Sequence, residues 1–431
     1  MKSFSNDRAR LMASLRRVPT ALLALSLAMI GACNSLLTVD NPGRVPSDAL
    51  TDPTLAPVLE AAALQQLQCG FAQFAATGGM LSGEYLSSNG FVDNHPWEWR
   101  GVVEIKGAPG SCPGARGTTS MGFYTPLQQA RFQLDDLASR LEAFTDAQVP
   151  NRQKILTEMA AYAGYAYTLL AEGMCEMALD NGPKMTRAEV LAIAEKRFTT
   201  AIALATTLND ASLRNMATVG RARVRLDLGN AVGAAADAAL IPAGFVRVAE
   251  FSETTPAREN RVYNLTVRND FLSVGPDYRN LTVNGVADPR VKVTDMKRLG
   301  SDNVTPMWQQ QKFTGSGAVS LPIASYAEAQ LILAEASGGQ AAIDAINRVR
   351  AITGVAAMAP PPAGTDVTLL VLEERRRQLF SEGHRFVDMV RKSLPFTPAA
   401  GTSNRKGQTF GPVTCVPLPD VETRNNPNFK G

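Results

Sequence analysis

The sequence predicts a mainly α protein, a tetratricopeptide-like array of helical hairpins carrying a large irregular lobe of loops and short strands. Three observations lead there. Apolar residues recur at spacings of three and four over long stretches, the mark of helices with one buried stripe. Small residues fall where paired helices pack closely, in three successive segments. Two further stretches, 77–122 and 243–321, lose that periodicity and are punctuated by Gly, Pro and Asn. Composition agrees: 431 residues, 45% hydrophobic and 19% charged, exclude a disordered tail, a collagen-like fibre and a polytopic membrane protein.

Residues 1–32 read as a cleaved export signal. Lys2, Arg8, Arg10, Arg16 and Arg17 precede an apolar run from Val18 to Ile30, too short for a permanent membrane span. Ile30-Gly31-Ala32-Cys33 resembles a lipobox, in which Cys33 takes a diacylglyceryl group and becomes the new N-terminus. Acyl chains such as palmitate then hold the protein at a membrane by burying CH2 groups. Residues 33–53 form a lipidated tether, and 54–431 a single domain. The export signal also carries the apparent basicity. The whole chain has 43 basic and 40 acidic side chains, a net charge of +3; removing five basic residues and Asp7 leaves 38 and 39, a net −1. With no basic stripe outside the n-region and Arg375–Arg377, nucleic-acid binding has no support. The remaining cysteines, Cys69, Cys112, Cys175 and Cys415, are even in number and placed in an oxidising compartment, which favours two disulfides. Spacing leaves all three connectivities open; Cys69–Cys112 with Cys175–Cys415 is the pairing we expect. No Cys-x-x-Cys pair or nearby histidine supports a metal site.

Each element can be placed in order. A helix is expected from Leu55 to Ala75, then the irregular stretch 77–122. Helices follow over Tyr124–Phe144, Arg152–Leu179 and Arg187–Leu208, the last opened by Thr186 or Pro183 after an Asp180-Asn181-Gly182-Pro183 breaker. Ala211–Leu240 is expected to be two helices turning at Gly229-Asn230, with Ala222, Gly229 and Ala234 at tetratricopeptide spacing. Ala163-Gly164 and Tyr167, then Ala194, Phe198 and Ala201, form a stretched version. Tyr326–Ala336 and Ala341–Ile352 form a tighter pair, completing hairpins over about 124–240 and 322–392. Between them, Val246, Val248, Val262, Tyr263, Leu265 and Val267, with the 281–283 and 291–293 runs, are β-biased. A charged helix is expected from Val367 to Lys392, with coil and a few strands after Pro395.

That helix contains the most specific motif, Glu373-Glu374-Arg375-Arg376-Arg377-Gln378-Leu379-Phe380-Ser381-Glu382-Gly383-His384-Arg385-Phe386-Val387-Asp388-Met389-Val390-Arg391. Arg376 and Gly383 fall on or beside its apolar stripe. A buried Arg requires paired carboxylates, and Glu373 and Asp388 are within reach. Glu373, Arg376, Glu382, Arg385 and Asp388 therefore read as a fold-fixing charge network. The motif resembles the C-terminal region of the SusD/RagB outer-membrane lipoproteins, with Gln378 where an acid is usual and Met389 for Leu. The Leu-Thr-Val-Asp-Asn-Pro stretch after Cys33, Asp288-Pro289-Arg290, Tyr326 to Ala336, Ile346 to Arg350 and Pro417-Leu418-Pro419 agree in order. The resemblance implies a SusD-like α-α superhelix and a non-enzymatic job at the outer membrane. That job is capture of oligosaccharides or related nutrients for a TonB-dependent SusC-like transporter, with no cofactor. A tetratricopeptide scaffold lipoprotein that binds protein partners is the alternative.

Common hydrolase, nucleotide and zinc motifs are missing from the sequence, and no acid–base constellation identifies a catalyst. A glycan site needs flat aromatic faces beside polar side chains. Aromatics make up only 6% of the chain, so the polar stretches that hold them are informative. Trp97, Trp99, Trp308 and Tyr278 are the candidate ligand-binding residues, Trp97 and Trp99 sharing a side only if their segment is extended.

Overall fold

In the computed structural model, residues 49–115 and 120–429 are described. The export signal, Cys33 and most of the expected tether lie outside them. The chain divides into two units at Asp52/Pro53. Of the first, the described part is a single 3-10 turn, Ala49–Thr51. Everything below concerns the second.

Ten helices carry the packing: α1 (Ala56–Leu81), α2 (Tyr124–Glu142), α3 (Arg152–Gly173), α4 (Arg187–Thr207), α5 (Ala211–Asp227), α6 (Ala231–Ala238), α7 (Tyr326–Ser337), α8 (Gly339–Ile352), α9 (Val367–Gln378) and α10 (His384–Arg391). Consecutive helices pack as neighbours from α1 through α6, and α6 then meets α7, which follows the inserted lobe in the chain. The second half of α3 is buried on every side, from Met159 to Gly173, as expected of a helix at the centre of an array. The start of α4 is fixed by Thr186: its side chain accepts from the Glu189 amide, and Glu189 reaches back to the Thr186 amide. These reciprocal bonds satisfy two otherwise orphaned donors.

The small residues read from the sequence have a specific task. Phe198 of α4 lies in a slot between α3 and α5, where a Cβ on Gly164 would come within 2.7 Å of its ring and one on Gly220 within 2.3 Å. Tyr165 closes the slot edge-on, its ring centroid 5.0 Å from that of Phe198.

The lobe is built from two-stranded antiparallel pairings. Its base is closed where Val246–Ala249 pairs with Leu321–Ser325, so the chain leaves and re-enters the helical array at one place. Tyr85–Ser87 pairs with Leu272–Val274. Val293–Leu299 and Pro306–Gln310 form a hairpin that sets Asp295 opposite Trp308. Residues Arg261–Arg268, read as β-biased, are instead a helical turn running into a π-helix. Asn260 caps this segment, accepting from the amides of Val262 and Tyr263. A local side-chain cap outweighs weak β-propensity in a short segment. Stretch 77–122 is also more helical than expected. Helix α1 continues to Leu81, and short helices occupy His95–Trp99 and Val102–Lys106.

Two disulfides cross-link the chain, Cys69–Cys112 and Cys175–Cys415. The second ties the end of α3 to the C-terminal segment, beside a parallel bridge between Met174 and Val416.

The helix expected over Val367–Lys392 is two helices. The chain turns between α9 and α10, with Ser381 at φ 66° and Gly383 at φ 87°. Positive φ carries little penalty for Gly, and this Gly has the Ala75 backbone of α1 within 3.2 Å of where a Cβ would be. The turn changes which arginine is buried. Arg375, not Arg376, points inward and pairs with Asp388 at 2.8 Å, and Arg391 meets the other Asp388 oxygen at 2.8 Å. Burial alone raises the Asp388 carboxyl, but the two guanidiniums outweigh it and hold the group well below the usual carboxylate range. Among the described residues, Arg376 pairs with no acid besides Glu373, Glu382 pairs with Lys312 at 2.6 Å, and Arg385 has no ion-pair partner. The single network expected from sequence is therefore several. Another of them gathers motif pieces far apart in the chain: Arg290 contacts Asp288 at 2.8 Å and Glu374 at 2.5 Å, and Arg350 contacts Glu374 at 2.6 Å.

Candidate functional site

A cleft of about 320 Å³ opens between the lobe and the C-terminal loop. Its apolar surface comes from Leu86, Pro276, Pro398 and Phe410, and its polar groups from Glu98, Asp277, Ser403, Asn404 and Arg405. This mixture of mostly apolar walls and a few placed polar groups is what a small-molecule site requires.

Local structure positions each wall. The short helix His95–Trp99 ends at Arg100, held in the left-handed region at φ 59°. The Arg100 guanidinium reaches back to the Pro398 carbonyl and lies 4.9 Å from the Phe410 ring centroid. The Gly411 amide donates to the Trp99 carbonyl at 2.6 Å. The loop 398–411 is thereby pinned against the helix that supplies Glu98. Within that loop Asn404 accepts from the amides of Lys406 and Gln408, forming the turn that projects Arg405. Arg405 is then spent on several partners at once: Glu98 at 2.5 Å, the Ser87 carbonyl at 2.5 Å and the Thr305 hydroxyl at 2.6 Å. Glu98 also accepts from the Ser87 amide at 2.7 Å. A charge pair satisfied this fully is rigid, and rigidity limits the ordering cost of binding.

The four aromatic candidates separate. Trp97 is 1% exposed and packs toward Phe123, and Tyr278 is 2% exposed and stacks on Phe380 at 5.0 Å. Neither offers a ring face to a ligand in this structure, and the helical rather than extended backbone keeps Trp97 and Trp99 off a common side. Trp99 is half-buried. Trp308 is half-buried on its hairpin, its amide donating to the Ser273 hydroxyl at 2.9 Å. The Arg279 guanidinium lies 5.2 Å from the Trp308 ring centroid. Burial lowers the Arg279 pKa, and the charge of nearby Arg405 lowers it further. Arg279 thus lies against the Trp308 ring and feels the charge of Arg405, while neither Trp308 nor Arg279 is part of the cleft lining. Of the amides beside Trp308, Gln310 is buried and structural, accepting from the amides of Lys312 and Phe313.

The comparisons bear on the same region. Residues 249–428, which include Trp308, Asp277 and Arg405, match the model of the SusD family. Over this segment the chain is similar to the SusD family. Among solved structures, a laminarin binding SusD-like protein superposes with a TM-score of 0.65 at 16% identity, over 88% of this chain and 98% of that one. A SusD-like carbohydrate binding protein from Bacteroides vulgatus gives 0.64 at 14% identity, over 88% and 97%. Surface glycan-binding protein A from Bacteroides uniformis gives 0.63 at 15%, over 86% and 98%. At these identities the likeness is one of fold. Among curated proteins no sequence matches.

Sequence reasoning missed Glu98, Asp277, Arg279, Asn404 and Arg405 as site residues. Glu98 stands beside Trp97 and Trp99, and Asp277 and Arg279 flank Tyr278; Asn404 and Arg405 carry no local signal, because their role depends on loops from distant parts of the chain meeting.

Proposed function

We propose that this SusD-like chain is a cell-surface lipoprotein that captures oligosaccharides in the Glu98–Arg405 cleft, without catalysis, and passes them to a TonB-dependent SusC-like transporter. The observation that carries the reading is the cleft itself, apolar walls that include Phe410 around a rigid charge pair; Trp308, half-buried under Arg279, is a sequence candidate that keeps some exposure beyond that lining. An aromatic face takes sugar C–H groups, while Asn, Asp and Arg side chains take hydroxyls. The names of the superposed structures, which include laminarin binding and glycan binding, support the ligand class. Among the described residues no helix is long and apolar enough to cross a membrane, so Cys33 would supply the anchor.

Affinity electrophoresis through gels containing laminarin and other soluble polysaccharides tests capture. At least one polysaccharide should retard the protein, and Trp308→Ala should weaken that retardation about fivefold or more with an unchanged Tm. Trp97→Ala, in contrast, should cost about 3–5 kcal/mol of stability. Retardation by none of the panel, or an unaffected Trp308→Ala, would overturn the reading. Co-purification with a large β-barrel supports the transporter; recovery of assembly factors instead would favour a scaffold.

A further inference from the structure

A second, more polar pocket of about 290 Å³ adjoins the cleft, and Asp277 and Thr397 line both. It holds two guanidiniums in different states. Arg376 is committed: it donates to both Glu373 oxygens at 2.7 Å and to the Asp277 carbonyl at 2.8 Å. It also lies 5.0 Å from the Tyr278 ring centroid. Arg385 lines the same pocket and makes no hydrogen bond or ion pair with any described residue. Tyr278, another lining residue, has a buried hydroxyl without a partner.

A free guanidinium presents N–H donors in a planar fork that matches an oxyanion, in particular a carboxylate. The acids nearby leave that capacity available. Glu373 is shared by Arg376 and by Arg377 at 2.6 Å, so its charge is more than matched. Glu84, wholly buried and near Arg385, Lys312 and Arg376, has its carboxyl held up by burial to about 7 despite their pull. At neutral pH it therefore offsets Arg385 only in part. Asp277 is the lining carboxylate that opposes an anion, accepting from the Thr397 hydroxyl at 3.4 Å.

We propose that this pocket is a subsite for an acidic sugar, with Arg385 binding the oxyanion of a unit whose neighbours lie in the cleft. The oxyanion is a hexuronate carboxylate or a sulfate ester, and the placement of the neighbouring units rests on the capture reading above. The test is an NMR titration of the full chain with D-glucuronate, glucose 6-sulfate and D-glucose. One of the two anions should bind about tenfold more tightly than glucose, and which one does so identifies the group. Arg385→Gln should abolish that advantage with an unchanged Tm. Asp277→Asn should enlarge it, because a like charge is removed. Equal binding of glucose, an anion advantage that survives Arg385→Gln, or an Asp277→Asn variant that binds the anion more weakly would each overturn the proposal. The last outcome would assign the pocket to neutral hydroxyls. Retardation by neutral polysaccharides should be untouched by Arg385→Gln, so a failure of the subsite and a failure of capture are told apart.

Discussion

Glu84 shows how a single buried residue sets a measurable pH response. It is 1% exposed, accepts from the Ser381 amide at 3.2 Å and leaves its other oxygen unpartnered. Burial raises its carboxyl to about 7 from an ordinary value of 4.5. A raised carboxyl pKa means the folded protein holds a proton that the unfolded chain releases, so stability falls as pH rises from about 4.5 through 7. Glu84→Gln keeps an acceptor for Ser381 and removes the titration. Its Tm should exceed the parent's at pH 8, by an amount equivalent to at most about 2–3 kcal/mol, and the gap should shrink at pH 5. An equal gap at both values would show that Glu84 does not titrate in this range. Nothing in the sequence around Glu84 signals this, since the burial comes from α1, the lobe and the turn between α9 and α10.

At the scale of elements, periodicity was a sound guide wherever a helix buries one stripe, and weaker elsewhere. The helices from Tyr124 to Thr207 start where the apolar spacing starts, and Gly229-Asn230 is the turn between α5 and α6. The expected helix over Val367–Lys392 failed because apolar spacing continues through Leu379 and Phe380 while the backbone reverses hand at Ser381 and Gly383. The packing of Phe198 between Gly164 and Gly220 yields a prediction for the array. Gly220→Ala places a methyl where the ring already sits, and Gly164 and Tyr165 prevent the ring from retreating. It should destabilise by about 1–3 kcal/mol, measured by chemical denaturation, and Phe198→Leu in the same chain should recover part of the loss. If the double variant is no better than Gly220→Ala, the slot is not what limits the substitution.

For the whole molecule, the Cys175–Cys415 disulfide spans 240 residues and the Cys69–Cys112 disulfide 43. A cross-link that closes the longer loop restricts the unfolded chain more. Replacing Cys175 and Cys415 by Ser should cost about 2–5 kcal/mol and loosen the C-terminal segment that carries the cleft wall, read as faster amide exchange over 398–416. Replacing Cys69 and Cys112 should leave that segment protected. The sequence alone determined the helical class, the order of the hairpins and the family motif, because buried stripes, small packing positions and charge spacing are local patterns. Which aromatics are buried, which arginine of the 375–377 run turns inward, and that residues 83–98, 276–277 and 397–410 meet around one cleft were decided by tertiary structure. Burial and pairing depend on what the rest of the chain brings within a few ångströms, and no local window contains that.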